Sequence, residues 1–376
     1  MSMAKASRNP VRAIVEKKAF EQLPAILREL NPRRILIVLG GQSFRRSIYF
    51  PRLMEIVAPY ASFFSEPVSA NPQWEALCAE ILRLKGLAYD VVIAIGGGSV
   101  LDSAKLFAAI PGQQETDLNG YLNGSFELKG LVRPLIAIPT TSGTGSEVTP
   151  FASIETPQKE KYSLSHPLFY PAVALVDPEL CLSMPAYVTA CTGFDALSQA
   201  IESFWSVNAD EESRKHSLKG LDRILAGFSE VIQHPQDLDA RFAMAQGSCE
   251  AGFGIAHAKT TAVHSVSYPM TAHFDVAHGH ACALTLAEFV RFNGVVLKET
   301  GAPLLNLFHA ADYDAMACSI EKLMDQARLK RSLADVGIHD AGHAVILRDG
   351  FRPDRVKNNP RPLTRDNLKE ILHNIR

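Results

Sequence analysis

The chain has 376 residues, more than one ordinary hydrophobic core accommodates and comfortable for two domains. Apolar residues make up 47%, and 38 Lys/Arg are interspersed with 40 Asp/Glu to a formal charge of −2, so no basic stripe points to nucleic acid or an anionic membrane surface. The opening residues lack an apolar leader and no window approaches roughly 18 uncharged apolar residues, so neither a secretory signal nor a membrane span is expected and the cytoplasm is the expected compartment.

In chain order, Arg34–Leu39 (RILIVL) is a compact apolar run that stops at Gly40-Gly41, and helical spacing follows through Ala58. Residues 61–65 read as a second strand and Trp74–Lys85 as an amphipathic helix. Residues 90–95 (DVVIAI) form a buried-strand run ending at Gly96-Gly97-Gly98, 99–109 resume helical spacing, and 135–138 (LIAI) are a strand closed by Pro139. Strands alternating with helices predict a parallel sheet covered on both faces. Beyond Pro185 the β-type runs vanish, apart from a short one at 345–348, and helical periodicity covers 187–225, 237–252 and 281–292. The expected architecture is an α/β nucleotide-binding domain over 1–185 followed by an all-helical domain over 186–376. Six cysteines (Cys78, Cys181, Cys191, Cys249, Cys282, Cys318) are scattered without a CxxC pair and read as buried thiols of a reducing compartment.

Two loops carry chemistry in the first half. Gly96-Gly97-Gly98-Ser99 lies between a buried strand and a helix, where unpaired amides, partial positive charge and bare backbone suit a pyrophosphate. Ser99 is placed as N-cap or phosphate contact, and Asp102, one turn on, faces the same crevice. The spacing is not GxGxxG, and a tight turn needing glycine only for its backbone is the alternative. The second loop, Pro139-Thr140-Thr141-Ser142-Gly143-Thr144-Gly145-Ser146-Glu147, follows a strand and offers short hydroxyl donors without bulk, as a loop around ribose and phosphate requires.

In the helical half, Asp195 and Gln199 are four apart and share a helix face. His264, His273, His278 and His280 follow in TTAVHSVSYPMTAHFDVAHGHACAL. A carboxylate with two or more imidazoles suits a divalent metal of the iron or zinc type, although the spacing alone leaves ordinary core histidines equally open.

GGGSVLDSAK (96–105), PTTSGTGSEVTPFA (139–152), VDPEL (176–180), GFDALSQAIES (193–203) and VHSVSYPMTAHFDVAHGHACAL (263–284) together resemble the iron-containing alcohol dehydrogenase family, in order and across almost the whole chain. The resemblance implies a dinucleotide-binding α/β domain, an all-α metal-binding domain of the dehydroquinate synthase-like architecture, and catalysis in a cleft. It implies that Gly97, Gly98 and Ser99 hold the pyrophosphate, that Asp102 lies near the nicotinamide, and that Thr140, Thr141 and Thr144 line the cofactor. Gly40 and Ser43, after the first strand, and Lys161, toward the ribose, complete the cofactor set. The family holds its metal with one Asp and three His, and Asp195, His264 and His278 match three of these positions. The remaining ligand position, on the Asp195 helix, is Gln199 here, and a further family histidine four residues after His264 is Tyr268. Three readings follow: Gln199 ligates weakly, a water or substrate oxygen completes the shell, or the metal is lost.

The segments DALSQAIESFWS, KTTAVHSVSYPMT, AHGHACALTL and RVKNNPRPLT are similar to the phosphonoacetaldehyde reductase branch of that family. The implied reaction is metal-dependent (Fe²⁺ or Zn²⁺) reduction by NADPH or NADH of a small aldehyde to a primary alcohol, phosphonoacetaldehyde to 2-hydroxyethylphosphonate. Lys259, Thr260 and Thr261, with Arg355 and Lys357, are candidates for a phosphonate, while Tyr268, His280 or His273 are candidates to deliver the proton. No acid follows the first strand, and Arg45 and Arg46 there suit the 2′-phosphate of NADPH. The competing readings are an iron-type dehydrogenase on another small alcohol, a dehydroquinate synthase-like cyclase or lyase, and a metal-less binding protein; a homodimer is the family's habit.

Overall fold

The structure is a computed structural model and describes residues 9–157 and 161–376. The chain divides into two compact units. The first holds the described residues to Thr140, with 146–157 and 162–180; the second holds Thr141–Gly145, Lys161 and Cys181–Arg376.

The first unit contains β1 (Arg12–Val15), α1 (Leu23–Leu30), β2 (Arg34–Leu39), α2 (Tyr49–Val57), β3 (Ala61–Phe64), α3 (Trp74–Lys85), β4 (Val91–Gly96), α4 (Gly98–Ala109), α5 (Leu118–Leu122), β5 (Leu135–Pro139), β6 (Phe151–Glu155), β7 (Lys161–Ser165, apart from its first residue) and β8 (Val173–Val176). Six strands form one sheet in the order β1-β8-β5-β4-β2-β3, and every pairing in it is parallel. β6 and β7 pair separately. Along β2 and β4 alternate residues serve opposite faces. Ile35, Ile37, Leu39, Ile93 and Ile95 pack with α1 and α2 residues such as Leu27 and Leu53, whereas Leu36, Val38, Val92 and Ala94 pack with Leu77 and Leu101 of α3 and α4. Both faces are covered, which is why these strands read as continuous apolar runs without alternation. Sequence reading passed over β1 and β8, each four residues long; β8 is buried and slots between β1 and β5.

The strand order reverses beside β2: the chain passes from β2 outward to β3 and returns to β4 on the other side. Such a switch point opens a crevice at the carboxyl ends of the two central strands, here after Leu39 and Gly96.

In the second unit, α6 (Ala186–Trp205), α7 (Glu211–Gln233), α8 (Leu238–Ala258), α9 (Ala262–Phe274), α10 (His278–Leu297), α11 (Ala302–Leu307), α12 (Tyr313–Gln326), α13 (Asp340–Asp349), α14 (Pro353–Val356) and α15 (Arg365–Asn374) follow without a strand among the described residues. The stretch expected to be helical over 187–225 is two helices. Ser206 is extended, with its hydroxyl donating to the Ala258 carbonyl at 2.6 Å, and Asp210 and Ser213 form a capping box that restarts the chain as α7. The β-type run at 345–348 lies inside α13, where tertiary packing overrides the local preference. α10 begins at His278 itself, three residues before the expected start. The segment His278–Leu307 is long and apolar enough by composition to cross a membrane, but 67% of its most apolar window is packed inside the protein.

Candidate active site

In the first unit, the carbonyl of Gly97 accepts the amides of Val100 and Leu101 at 3.0 and 3.1 Å, and no side chain caps α4. The Gly98 and Ser99 amides ahead of these bonds are the ones a helix start leaves without intrahelical partners, and they suit an anion. Ser99 is not the N-cap; it is the second helical residue, and its hydroxyl accepts the Asn71 amide at 3.4 Å. A Cβ on Gly96 would stand 2.5 Å from Val100 Cγ2, so only glycine lets the start of α4 close against β4. Gly40 ends the neighbouring strand against the same Val100, and Ser43 is exposed in the turn that follows. This backbone-lined crevice fits the pyrophosphate of a dinucleotide.

Asp102 is held on both carboxylate oxygens. Its Oδ1 is held by Lys105 (3.3 Å) and the Ser146 hydroxyl, and its Oδ2 accepts the Ser153 amide at 2.9 Å. Both oxygens thus brace β6 and the end of the threonine-rich loop. Lys105 is fully buried and also donates to the Phe151 carbonyl at 2.6 Å; burial lowers its pKa. Burial likewise pushes the nearby Glu147 carboxyl up to about 7.

The threonine-rich loop is tied to the glycine turn where the Thr140 amide donates to the Gly96 carbonyl at 3.0 Å. Its middle, Thr141–Gly145, belongs with the second unit. Gly145 there has φ +61°, and a Cβ on it would stand 2.5 Å from Gly252 Cα of α8. Thr141 and Thr144 are half-buried.

The second unit gathers the metal candidates. Asp195 and Gln199 come from α6, His264 from α9, and His278 and Cys282 from the first turns of α10. Donor atoms of Asp195, His264, His278 and Cys282 all lie within 4.8 Å of one another. His264 Nε2 is 3.3 Å and His278 Nε2 3.8 Å from Asp195 Oδ1. Gln199 Nε2 donates to that same oxygen at 2.9 Å, while its Oε1 is buried with no partner. A carboxylate, two imidazoles and a thiol converging on one buried point form a donor set that fits a divalent metal.

Glu202, one turn beyond Gln199 on α6, supports this centre. It is fully buried, takes the Nδ1 proton side of His264 on Oε2, and accepts the Thr261 amide and hydroxyl on Oε1 at 2.9 and 2.7 Å. A carboxylate on Nδ1 turns Nε2 toward the cluster, the arrangement that orients metal-binding imidazoles. Burial opposes a charge on His264, but Cys282, Glu202 and Asp195 carry its pKa well above the usual value. Burial, then the Lys161 charge, push His278 down to about 3, leaving the neutral imidazole that binds metals.

Beside the cluster, Tyr268 stacks on His278 with ring centroids 5.8 Å apart, and Lys161 Nζ lies 5.5 Å from the Tyr268 ring centre. Arg355 is buried, and its Nε has no partner. Burial opposes its charge, yet Tyr268, Asp354 and Glu202 hold its pKa above the ordinary value.

Other sequence candidates are exposed or engaged by structural partners. His280 Nε2 meets the Lys330 carbonyl at 2.8 Å and its Nδ1 meets the Tyr187 hydroxyl at 3.1 Å, so both nitrogens have structural partners. Residues two apart on a helix do not share a face, which separates His280 from His278. His273 pairs with Asp349 at 3.3 Å. Lys259 is exposed at the end of α8 with φ +62°, Lys357 is exposed, and the Thr261 hydroxyl is engaged by Glu202. Sequence reading gave no role to Glu202 or Cys282. The signal was helical spacing: Glu202 is seven residues from Asp195, and Cys282 four from His278.

A crevice for a dinucleotide in one unit and a carboxylate–imidazole centre in the other define an NAD(P)-dependent, metal-dependent alcohol dehydrogenase or aldehyde reductase. The description "Iron-containing alcohol dehydrogenase" matches residues 10–178, and "Fe-containing alcohol dehydrogenase family, C-terminal" matches residues 189–376. The chain belongs to the iron-containing alcohol dehydrogenase family. It is 30% identical to a phosphonoacetaldehyde reductase of Streptomyces viridochromogenes over 347 residues, 88% of this chain and 87% of that one. It is 32% identical to long-chain-alcohol dehydrogenase 1 of Geobacillus thermodenitrificans over 376 residues, 94% and 92% of the two. Among solved structures, sulfoacetaldehyde reductase from Bifidobacterium kashiwanohense in complex with NAD+ is similar with a TM-score of 0.91 and 29% identity, covering 100% of this chain and 99% of that one.

Proposed function

We propose that this enzyme reduces a small aldehyde carrying a phosphonate-like oxyanion, with phosphonoacetaldehyde to 2-hydroxyethylphosphonate as the specific reaction. The observation that carries this reading is the pair of cations, Lys161 and Arg355, that flank Tyr268 beside the Asp195–His264–His278 cluster. A buried guanidinium with an unmatched N–H is a preorganised partner for an oxyanion, and Arg355 sits against Tyr268, the ring stacked on His278 of the cluster. The names of the phosphonoacetaldehyde and sulfoacetaldehyde reductases similar to this chain support the same class.

Asp195, His264 and His278 would hold the metal, with Gln199 beside them, and Glu202 keeps His264 in the ligating orientation. Gly40, Ser43, Gly97, Gly98, Ser99, Thr140, Thr141 and Thr144 would line the cofactor. When bound, the metal supplies positive charge at the carbonyl oxygen and the nicotinamide supplies the hydride. Among Tyr268, His273 and His280, only Tyr268 borders the cluster, and its hydroxyl is assigned the proton for the product oxygen.

The test is oxidation of NADPH and NADH with phosphonoacetaldehyde beside acetaldehyde, propanal, succinic semialdehyde and lactaldehyde. Arg355→Met should raise KM for phosphonoacetaldehyde about tenfold or more, since a charged hydrogen bond is worth roughly 1.5–3 kcal/mol, with little change for propanal. Equal effects on both aldehydes would remove the anion-binding role.

A further inference from the structure

We propose that Cys282 is a metal ligand in this chain and Gln199 is not, so that the centre is a four-donor shell of Asp195, His264, His278 and Cys282. The inference rests on the metal-site reading above. Cys282 is fully buried, and its sulfur belongs to the set of four donor atoms lying within 4.8 Å of one another. His278 and Cys282 are four residues apart on α10, which places both side chains on one helix face, as two ligands from one helix require. A tetrahedral shell with bonds of about 2.0–2.3 Å spaces its donors roughly 3.3–3.8 Å apart. The Asp195 contacts to His264 and His278, at 3.3 and 3.8 Å, already meet that spacing.

Gln199 has a different task. Its Nε2 donates to Asp195 Oδ1 at 2.9 Å, so the amide faces the carboxylate with its hydrogens, the side that cannot ligate. It holds Asp195 through Oδ1, the oxygen that also faces His264 and His278, as a hydrogen-bonded support of a ligating carboxylate does. The imidazole missing from position 199 is thereby compensated from α10. Cys282 binds as the thiolate, releasing its proton to solvent, and a thiolate shifts the site toward zinc relative to an all-oxygen-and-nitrogen shell.

The experiment uses the full chain stripped by chelator and reloaded with cobalt(II). The wild type should show a near-ultraviolet thiolate-to-cobalt charge-transfer band. Cys282→Ser should still take up one cobalt per chain and lose that band; identical spectra overturn the proposal. Because a buried serine could unsettle the fold, X-ray absorption of the zinc-loaded wild type gives an independent reading. One sulfur neighbour at about 2.3 Å is expected, and a shell of only nitrogen and oxygen at about 2.0–2.2 Å overturns the proposal while leaving the metal site standing. Wild-type protein that takes up neither cobalt nor zinc overturns both.

Discussion

The two units build their sites from different materials. The first offers backbone: the end of β4, the bare first turn of α4 and the glycines Gly40, Gly96, Gly97 and Gly98. The second offers side chains drawn from α6, α9 and α10, with Glu202 behind them. A backbone site is damaged by adding atoms and a side-chain site by removing them. The contrast therefore predicts opposite mutational profiles, and substitutions in each unit can break it.

The largest effect belongs to the side-chain site. His264→Ala should abolish tight metal binding, measured by metal content after gel filtration, and lower kcat/KM more than about 10²-fold, the usual cost of losing one electrostatic stabiliser. Full activity without metal would dismantle the reading. Glu202→Gln keeps the shape and removes the charge behind His264; metal affinity should fall about 10–100-fold, as for other supporting partners of ligating histidines.

Gly145→Ala probes the backbone kind of weakness on the part of the threonine-rich loop that belongs with the second unit. It asks a side chain to adopt φ +61° and to stand 2.5 Å from Gly252 Cα, where the neighbour is backbone and cannot swing aside. A cost of about 1–3 kcal/mol from overpacking, added to the left-handed strain, should lower Tm by several degrees. An unchanged Tm would mean the loop is free to leave α8.

The same contrast explains what was legible in the sequence. A backbone site is contiguous, so GGGS and PTTSGTGSE announced the crevice, and the apolar runs around them announced the sheet. Asp195 and Gln199 were readable as a pair because one helix holds both. His264 and His278 were singled out from the four clustered histidines only through the family resemblance, since local spacing cannot show that α9 and α10 meet α6. Cys282 was hidden by a sound generalisation: isolated cysteines are usually core. Arg355, 160 residues from Asp195 by the numbering, was a candidate only through the resemblance of its segment, since nothing local marks a guanidinium that will end up buried. Asp102 was pointed to the cofactor by its position after the glycine turn, and no local pattern showed that Lys105, Ser146 and Ser153 would hold both its oxygens.

Smaller effects separate the buried polar cluster of the first unit from its crevice. Glu147 has a folded pKa near 7 against an ordinary 4.5, with burial as the main cause. The folded state therefore holds a proton that the unfolded state has released between these values, and stability falls as pH rises from about 4.5 through about 7, then levels. Glu147→Gln should flatten that slope in thermal scans from pH 5 to pH 8, with its relative gain largest at pH 8. A parallel displacement of the two profiles would show that the carboxyl does not titrate in this window.

The smallest effect concerns the rim of the crevice, where the backbone gives way to side chains. No acid follows β2, and two arginines do. Arg45 lies over the rings of Phe50 and Phe64, 5.7 and 4.9 Å from their centres, while Arg46 is exposed. An arginine stacked on two rings keeps its place at little entropic cost, so Arg45 shapes the rim and Arg46 is the one available to a 2′-phosphate. Arg46→Ala should reduce kcat/KM for NADPH by no more than about fivefold, because an exposed ion pair is worth roughly 0.2–1 kcal/mol, and should leave NADH unaffected. Raising the salt concentration should shrink the difference further, as screening removes what the exposed charge contributes. A wild-type preference for NADH of tenfold or greater would show that the absent acid does not govern cofactor choice, and would move discrimination from the rim to the backbone of the crevice itself.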